Sequence, residues 1–218
     1  MNKPSKSYTI LFGLTADPIH KGHEQAIKSS VQFLKLKAYK IKKIQLIPVC
    51  QPNLIANKKA PSANFKQRFA MCELVANRLS NDLKCLIVVN PIEKQLSETT
   101  GEKNYSLNTI KTLHLSHCLF MVSADHFQGR WPKFRKWYKW QELLQYSGLL
   151  INQRPGHRIN ESFIKQLKSE NPDIFCIKST KAIDISSSKI RKNRNNYFNK
   201  GFLSKDIIHY IKNEKLYI

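Results

Sequence analysis

Short apolar runs alternate with helix-like segments along the whole chain. Six runs have the length and composition of buried strands, and most segments between them carry apolar residues at helical spacing, such as Phe65, Phe69 and Cys72 on one face. Because parallel strands need crossover connections, this alternation predicts an α/β fold: a Rossmann-like, doubly wound, mainly parallel sheet with helices on both faces. The predicted strands are residues 8–14, 43–49, 83–90, 117–125, 148–156 and 173–179, and the predicted helices are residues 22–37, 64–79, 106–116, 141–146, 160–169, 186–194 and 203–218.

The 218-residue chain has no internal repeat or low-complexity linker, which predicts a single domain over residues 1–218. Its core is expected over about residues 8–180, followed by a helical C-terminal segment over about residues 186–218. No apolar run approaches the length of a membrane span, and the first apolar segment is too short for a signal peptide. We therefore expect a cytoplasmic protein that does not associate with membranes.

The formal net charge is +22, which favours partners that are polyanions, including nucleic acids, nucleotides and their phosphates. Most of the charge is lysine spread along the whole chain, a pattern typical of a solvated surface, so it supports nucleic-acid binding only weakly. The five cysteines form no CxxC pair, which argues against a disulfide framework and against a thiolate metal cluster.

The segment GLTADPIHKGHEQAI, residues 13–27, directly follows the first predicted strand. It places His20 and His23 on either side of Gly22, where a helix begins. A helix N-terminus offers unpaired N–H groups and a partial positive charge, so two imidazoles there favour an anion site. The Walker and GxGxxG patterns are absent, and no cysteine or acidic residue follows at metal-ligand spacing. From this segment alone, a structural turn explains the pattern equally well.

Residues 13–23, GLTADPIHKGH, resemble the GGxFDPxHxGH form of the HxGH signature in bacterial nicotinate-nucleotide adenylyltransferases, which belong to the HxGH nucleotidyltransferase superfamily. Further segments are similar to motifs of that family in the same order along the chain, from about Tyr8 to Ile218. They are NYSLNTIKTL with Tyr105 and Thr109; MVSADHF and FRKWYKWQELL with Asp125, Trp137 and Tyr138; INQRPG with Arg154; IDISSSKIRK with Ser186, Ser187, Ser188 and Arg191; and IIHYIKNEKLYI at the C-terminus.

The sequence departs from the family pattern at several positions. Leu14 replaces a glycine, Ala16 replaces a phenylalanine, and Ser123 replaces the glycine of GAD. The spacing from Asp125 to Trp137 is longer, by an insert near GRWP, and the loop after the second strand lacks the usual histidine. These changes leave the identity of the acceptor more open than ATP binding.

The resemblance implies transfer of the adenylyl group of ATP to nicotinate mononucleotide, giving deamido-NAD and pyrophosphate in NAD biosynthesis. In this family the phosphate of the acceptor attacks the α-phosphorus of ATP directly, so no covalent nucleophile is expected. Mg²⁺ is expected to accompany ATP without a dedicated set of protein ligands. The resemblance assigns His20, His23 and Arg191 to catalysis; Gly13, His20, His23, Ser186, Ser187, Ser188 and Arg191 to ATP binding; and Thr15, Asp17, Lys58, Tyr105, Asp125, Trp137, Tyr138 and Arg154 to mononucleotide binding.

Two alternatives remain at this point. The first is an adenylyltransferase for another small acceptor, nicotinamide mononucleotide or phosphopantetheine. The second is a non-catalytic basic module that binds nucleic acid, since the run RWPKFRKWYKW mixes basic and aromatic residues as single-strand grooves do. This second alternative gives no reason for the ordered HxGH and ISSxxIR motifs. The oligomeric state does not follow from the sequence.

Overall fold

Six strands form one parallel sheet in the computed structural model, which describes residues 6–52, 60–101, 104–153, 158–178, 183, 185–193 and 200–217. The strands are β1 (Ser7–Leu14), β2 (Lys40–Pro48), β3 (Ile87–Val89), β4 (Cys118–Ser123), β5 (Gly148–Gln153) and β6 (Ile174–Lys178). Their order is β3-β2-β1-β4-β5-β6, and every neighbouring pair is parallel. This order confirms the predicted Rossmann-like sheet, and the strand order switches between β1 and β4.

Eight α-helices lie within the described ranges, and two short 3-10 helices, Ala124–His126 and Lys133–Lys136, follow β4. The helices are α1 (Lys21–Leu36), α2 (Phe65–Leu83), α3 (Ile92–Thr100), α4 (Ser106–Leu113), α5 (Trp140–Tyr146), α6 (Glu161–Glu170), α7 (Ser187–Lys192) and α8 (Lys205–Asn213). The sequence did not predict α3, because it has only two apolar residues, Ile92 and Leu96, and no side chain caps its start. In the described part of the chain, none of the helices combines the length and the apolar character that crossing a bilayer requires.

Alternate strand residues point to opposite faces of the sheet and build two separate cores. On one face, Ile10, Ile44 and Leu119 pack with α1, α2 and α8. On the other face, Leu11 and Phe120 pack with α4, α5 and α6. Because both faces are covered, the strands need apolar residues at successive positions, which explains their continuous apolar runs.

The predicted buried face of α2 is confirmed from Cys72 onward, whereas the start of the helix is only partly buried on that face. Phe65 and Phe69 are only half-buried, whereas Cys72 is buried as expected. Arg68, which is 2% exposed, lies on the buried face between the end of β1 and the loop after β2. An arginine can take this place because backbone carbonyls accept its hydrogen bonds, as described below.

Arg78 of α2 connects the C-terminal helix to the first helix. Its guanidinium donates to both carboxylate oxygens of the buried Glu24 in α1, at 2.8 and 3.1 Å, and to Asp206 in α8 at 3.1 Å. The hydrogen bonds to Glu24 raise the pKa of Arg78 above its usual value. The backbone N–H of Lys21 also donates to the carbonyl of Phe202 at 3.0 Å. The C-terminal segment is therefore fixed against the beginning of α1.

Candidate active site

The candidate site lies at the carboxyl ends of β1 and β4. In open parallel sheets, ligands bind where the strand order switches, and here that point is between these two strands. β1 leads into the turn of residues 15–20 and then α1, while β4 leads into the 3-10 helix Ala124–His126. The start of α7 packs against the same turn. Residues from distant parts of the sequence thus meet at one edge of the sheet.

His20 and His23 form a reciprocal cap at the start of α1. His20 is the N-cap residue, and its Nδ1 accepts a hydrogen bond from the backbone N–H of Gly22 at 3.1 Å. Nδ1 of His23 accepts one from the backbone N–H of His20 at 3.2 Å. The two ring centroids are 3.8 Å apart, with 31° between the ring planes. The imidazoles therefore occupy the positions that Ser or Thr and Glu or Gln occupy in an ordinary capping box.

These hydrogen bonds fix the tautomers of both rings. Because Nδ1 is an acceptor in His20 and in His23, each neutral ring carries its hydrogen on Nε2. His20 is 2% exposed and His23 is half-buried. The N-terminal dipole of α1 adds positive potential at the same place, while the first N–H groups of the helix donate to protein acceptors, as those of Lys21 and Gly22 do to Phe202 and His20. The segment is thus both a structural turn and an arrangement suited to an anion.

Gly22 packs closely against the His20 ring. A Cβ at this position would lie 3.0 Å from Cε1 and Nδ1 of His20 and 3.1 Å from the side chain of Ile185. A larger residue would therefore require the His20 ring and the Ile185 side chain to shift slightly.

Asp17 is the centre of a buried hydrogen-bond network. Its side chain accepts hydrogen bonds from the backbone N–H groups of Ser62 at 2.9 Å and Ala63 at 3.0 Å. The hydroxyl of Tyr217 donates to the same carboxylate at 2.8 Å, and Nη1 of Arg191 lies 3.2 Å from it. Asp17 itself is 1% exposed. It thus joins the turn after β1, the segment before α2, α7 and the C-terminal segment.

The start of α7 is bonded directly to the turn after β1. Ser186 caps the helix by accepting from the backbone N–H of Lys189 at 3.3 Å. Oγ of Ser187 donates to the carbonyl of Pro18 at 3.0 Å, and Arg191 also donates to the backbone carbonyl of Asp17. Ser188 lies nearby, with its Oγ 3.5 Å from Nη2 of Arg191. The structure therefore brings together the two segments that the sequence related to phosphate binding.

Arg68 supports the site from beneath, and the sequence interpretation missed it. Its guanidinium donates to the carbonyls of Thr15 at 2.8 Å, Val49 at 2.7 Å, Cys50 at 3.3 Å and Ala63 at 3.2 Å. Desolvation by burial lowers its pKa from the usual arginine value. The signal in the sequence was an arginine on the apolar face of a predicted helix. Its role is to hold the ends of β1 and β2 and the start of α2 together.

Of the remaining residues that the sequence analysis named near the turn, Gly13 and Ala16 lie in the described part of the chain. Gly13 lies in β1, where a Cβ would be 3.2 Å from the ring of Phe120, so its small size serves strand packing. Ala16 adopts a left-handed conformation with φ of 55°, which costs a residue with a Cβ about 1 kcal/mol. Lys58 and Arg154 lie outside the described residues.

Trp137 lies on the opposite side of the site, after the second 3-10 helix. Its half-buried indole packs edge-on against Phe120, with 6.1 Å between ring centroids, and lies 5.1 Å from Phe134. The indole N–H donates to Nδ1 of His126 at 3.3 Å. Nε2 of His126 lies 3.9 Å from the carboxylate of Asp125. No pattern in the sequence indicated this contact.

Tyr105 and Tyr138 form a second aromatic pair on this side. Their rings stack with centroids 4.5 Å apart and 26° between planes. Four residues after Tyr105, Thr109 in α4 donates to the buried carboxylate of Glu93 at 2.5 Å, and Asn104, just before Tyr105, donates to the same carboxylate at 2.8 Å. Glu93 belongs to α3, which the sequence did not predict, so this support for the position of Tyr105 was also missed.

Among the residues that the structure describes, no group of three or more His, Cys, Asp or Glu side chains is arranged to hold a metal ion. The cysteines are free thiols. Burial raises the pKa of Cys72 to about 12 and that of Cys118 to about 11, so both thiols stay protonated at neutral pH. Both cysteines are core residues.

Known protein structures share this fold. A structure of Plasmodium falciparum nicotinic acid mononucleotide adenylyltransferase complexed with NaAD superimposes with a TM-score of 0.72 over 97% of this chain and 97% of that chain, at 24% sequence identity. A structure of the same protein complexed with APC gives a TM-score of 0.69 over 96% of each chain, at 22% identity. At these identities the likeness supports the architecture.

Sequence comparisons identify the family. A model of the cytidylyltransferase-like family matches residues 11–193. A probable nicotinate-nucleotide adenylyltransferase of Marinomonas sp. (strain MWYL1) is 30% identical over 200 residues, 84% of this chain and 81% of the relative. Another, of Coxiella burnetii (strain Dugway 5J108-111), is 28% identical over 232 residues, 95% of this chain and 96% of the relative. The chain therefore belongs to the cytidylyltransferase-like family and, within it, to the nicotinate-nucleotide adenylyltransferases.

Proposed function

We propose that the protein transfers the adenylyl group of ATP to nicotinate mononucleotide and releases pyrophosphate. The product is deamido-NAD, and the reaction is a step of NAD biosynthesis. The phosphate of the mononucleotide attacks the α-phosphorus of ATP, and the bond to the bridging oxygen of pyrophosphate breaks. No covalent intermediate with the protein is required, so catalysis rests on holding two anions in line and stabilising the charge that develops on the leaving group.

The observation that carries this proposal is the direct bonding of the two phosphate-motif segments. Ser187 donates to Pro18, and Arg191 donates to Asp17, so the start of α7 is fixed beside the His20–His23 cap. Two helix N-termini, hydroxyl groups, imidazoles and a guanidinium are thus concentrated at one point. Such a concentration of donors suits a triphosphate better than any uncharged ligand.

The residue roles follow from this arrangement. We assign His20, His23, Ser187, Ser188 and Arg191 to contacts with the phosphates of ATP. The capping role of Ser186 and the strand packing of Gly13 favour support of the ATP site over direct contact. Because protein donors surround the carboxylate of Asp17, we assign it to positioning as well.

We assign the aromatic residues Trp137, Tyr105 and Tyr138 to binding of the mononucleotide. Trp137 stacks on the pyridine ring in this proposal, since an electron-poor ring and an indole face attract each other. Its nearby partners in binding are Asp125 and the Tyr105–Tyr138 pair. Thr15, Lys58 and Arg154 remain proposed contacts to the negative charges of the acceptor, and the cytoplasmic location expected from the sequence remains a prediction.

Mg²⁺ fits the site only as a partner of ATP. Mg²⁺ prefers oxygen ligands and usually keeps several waters while binding nucleotide phosphates. The carboxylate of Asp17 is surrounded by hydrogen-bond donors and an arginine, which is unfavourable for a cation. We therefore infer that Mg²⁺ would be held mainly by the ATP phosphates and water, where it would supply positive charge against the departing pyrophosphate.

A pyrophosphate-release assay tests the function. The protein is supplied with ATP and, in separate reactions, nicotinate mononucleotide, nicotinamide mononucleotide or phosphopantetheine. We expect release that requires both ATP and nicotinate mononucleotide and is slower with either other acceptor. Faster turnover of the amide or of phosphopantetheine would reassign the acceptor. No release with any acceptor, together with salt-sensitive binding of oligonucleotides to a filter, would favour the nucleic-acid-binding alternative.

A further inference from the structure

We propose that His126 is a positioning residue that fixes the indole of Trp137 in the orientation needed to stack on the acceptor. This inference rests on the proposed function, because it concerns the aromatic side of the same site. His126 itself need not touch the substrate. It acts through Trp137 and thereby sets the affinity for the mononucleotide.

His126 contacts the Trp137 indole through a hydrogen bond and a perpendicular packing of the two rings. The Trp137 Nε1–H donates to Nδ1 of His126 at 3.3 Å, and the two rings are nearly perpendicular, at 83°, with centroids 5.2 Å apart. A perpendicular imidazole that accepts from the indole N–H restricts rotation of the indole about its own axis. This hydrogen bond also satisfies the indole N–H.

The apolar neighbours of Trp137 do not fix its orientation as sharply. Phe120 contacts it edge-on and Phe134 contacts it at a tilt of 43°, with centroids 6.1 and 5.1 Å away. Aromatic contacts of this kind favour edge-on or offset geometries over a broad range of angles, so they orient the ring less sharply than a hydrogen bond does. In the described part of the chain, the hydrogen bond to His126 is the most directional contact of the indole.

His126 is in turn oriented by its place in the chain. It ends the 3-10 helix that follows β4, so its backbone is fixed by the sheet. Because Nδ1 accepts from Trp137, a neutral ring carries its hydrogen on Nε2, and Nε2 lies 3.9 Å from the Asp125 carboxylate. The carboxylate lies on the Nε2 side of the ring, and Nδ1 faces the indole. The imidazole thus lies between Trp137 and Asp125, which is also assigned to binding of the acceptor.

The consequence is preorganisation of the acceptor site. An indole already held in its stacking orientation loses less conformational freedom when the pyridine ring binds. Loss of the hydrogen bond should therefore weaken binding of the mononucleotide while leaving the phosphate side, and hence the KM for ATP, unchanged. A residue that only stabilised the fold would not separate the two substrates in this way.

The test compares His126→Leu and His126→Gln with His126→Asn. The Asn side chain places an acceptor oxygen at the level of Nδ1, whereas Leu removes the acceptor and Gln moves it outward. We expect KM for nicotinate mononucleotide to rise about 5- to 10-fold in the Leu and Gln variants, in line with the loss of one hydrogen bond. The Asn variant should stay within about 2-fold of the wild type. His209→Leu, at an exposed position on α8, is the matched control and should leave both KM values unchanged.

Two further measurements connect the effect to the indole. In a Trp137→Phe background, His126→Leu should cause no additional rise in KM, because the indole N–H is already absent. In nitrogen-correlated NMR spectra of the ligand-free protein, the Trp137 indole N–H signal should shift in the Leu variant and return towards its wild-type position in the Asn variant.

The outcomes separate this inference from the proposed function. Wild-type protein that releases no pyrophosphate with nicotinate mononucleotide would contradict the function. If the wild type is active, two results with His126→Leu would overturn only the positioning role. One is an unchanged KM for nicotinate mononucleotide, and the other is an equal rise in the KM for ATP. An Asn variant as impaired as the Leu variant would also overturn it. If the Leu variant does not fold, the Gln variant gives the same comparison.

Discussion

The two sides of the candidate site are held by different kinds of interaction. On the phosphate side, the turn after β1 is fixed by hydrogen bonds to the Asp17 carboxylate and by the arginines Arg68 and Arg191. On the acceptor side, Trp137 and Tyr138 are held by aromatic contacts and by the hydrogen bond that the Trp137 indole donates to His126. The first side is buried and charged, whereas the second is half-exposed and largely apolar.

This difference suits the two ligands. The triphosphate presents many charged oxygens, and a rigid frame of donors stabilises the charge of the transition state without reorganisation. A pyridine ring presents a flat surface and few polar atoms, so stacking with modest hydrogen bonding is sufficient. Changes on the phosphate side should therefore affect kcat or stability strongly, and changes on the acceptor side should affect mainly KM.

The largest effect is expected for His20→Ala. The variant loses a phosphate donor and the cap of α1, and removal of one preorganised donor typically lowers kcat by about 10²- to 10³-fold. Loss of an N-cap costs about 1 kcal/mol, so the protein should remain folded. Turnover is measured by pyrophosphate release, and folding by circular dichroism and thermal unfolding. A folded variant with near-normal kcat would exclude the proposed contact between His20 and phosphate.

Asp17→Asn should break the network that supports the phosphate side. The substitution keeps the shape of the side chain but removes the charge that faces Arg191 and Tyr217 and replaces an acceptor by a donor. Removing one partner of a buried charged pair costs about 3 kcal/mol, and the displaced turn should also lower kcat. Chemical denaturation measures the first effect and the pyrophosphate assay measures the second.

Asp206→Asn is the matched control, because this acid also pairs with an arginine but lies in α8, away from the turn. It should reduce the free energy of unfolding by less than Asp17→Asn and leave kcat unchanged. Equal kcat values for wild type and Asp17→Asn would show that the network serves stability alone.

Trp137→Ala should raise KM for the mononucleotide about 10-fold with little change in the KM for ATP, because aromatic stacking contributes on the order of 1 kcal/mol beyond area burial. Trp137→Phe should retain part of the affinity. Trp131→Ala is the control, since Trp131 is 75% exposed and should contribute nothing to binding of the mononucleotide. If Trp131→Ala had the larger effect on KM, the stacking residue would have to be reassigned.

The sequence predicted the sheet because each strand is an apolar run buried on both faces, and it predicted the HxGH and ISSxxIR segments because their residue order is distinctive. It did not predict Arg68, Glu93 or His126 as parts of the site. Their importance depends on backbone carbonyls, a helix and an indole that only the folded chain brings beside them. Spacing along the chain contains no information about such contacts between distant segments.

The smallest effect is expected for Tyr217→Phe, which removes one hydrogen bond to Asp17 and should cost about 1–2 kcal/mol of the free energy of unfolding at neutral pH. Burial, followed by the negative charge of Asp17, raises the pKa of Tyr217 far above its usual value of 10.0. Above pH 10, tyrosine in the unfolded chain loses its proton whereas Tyr217 in the folded protein keeps it, so the folded state is progressively disfavoured as the pH rises.

Wild-type protein should therefore lose stability between pH 10 and 12, and Tyr217→Phe should lose less over the same interval, because phenylalanine does not titrate. Tyr8→Phe provides the comparison, since burial also raises the pKa of Tyr8 but this residue lies in the core, away from Asp17. Both variants should flatten the alkaline fall in denaturant midpoint, whereas only Tyr217→Phe should also lower kcat at pH 7. An unchanged kcat in Tyr217→Phe would limit the role of the C-terminal segment to stability and leave Arg191 as the residue that couples Asp17 to turnover.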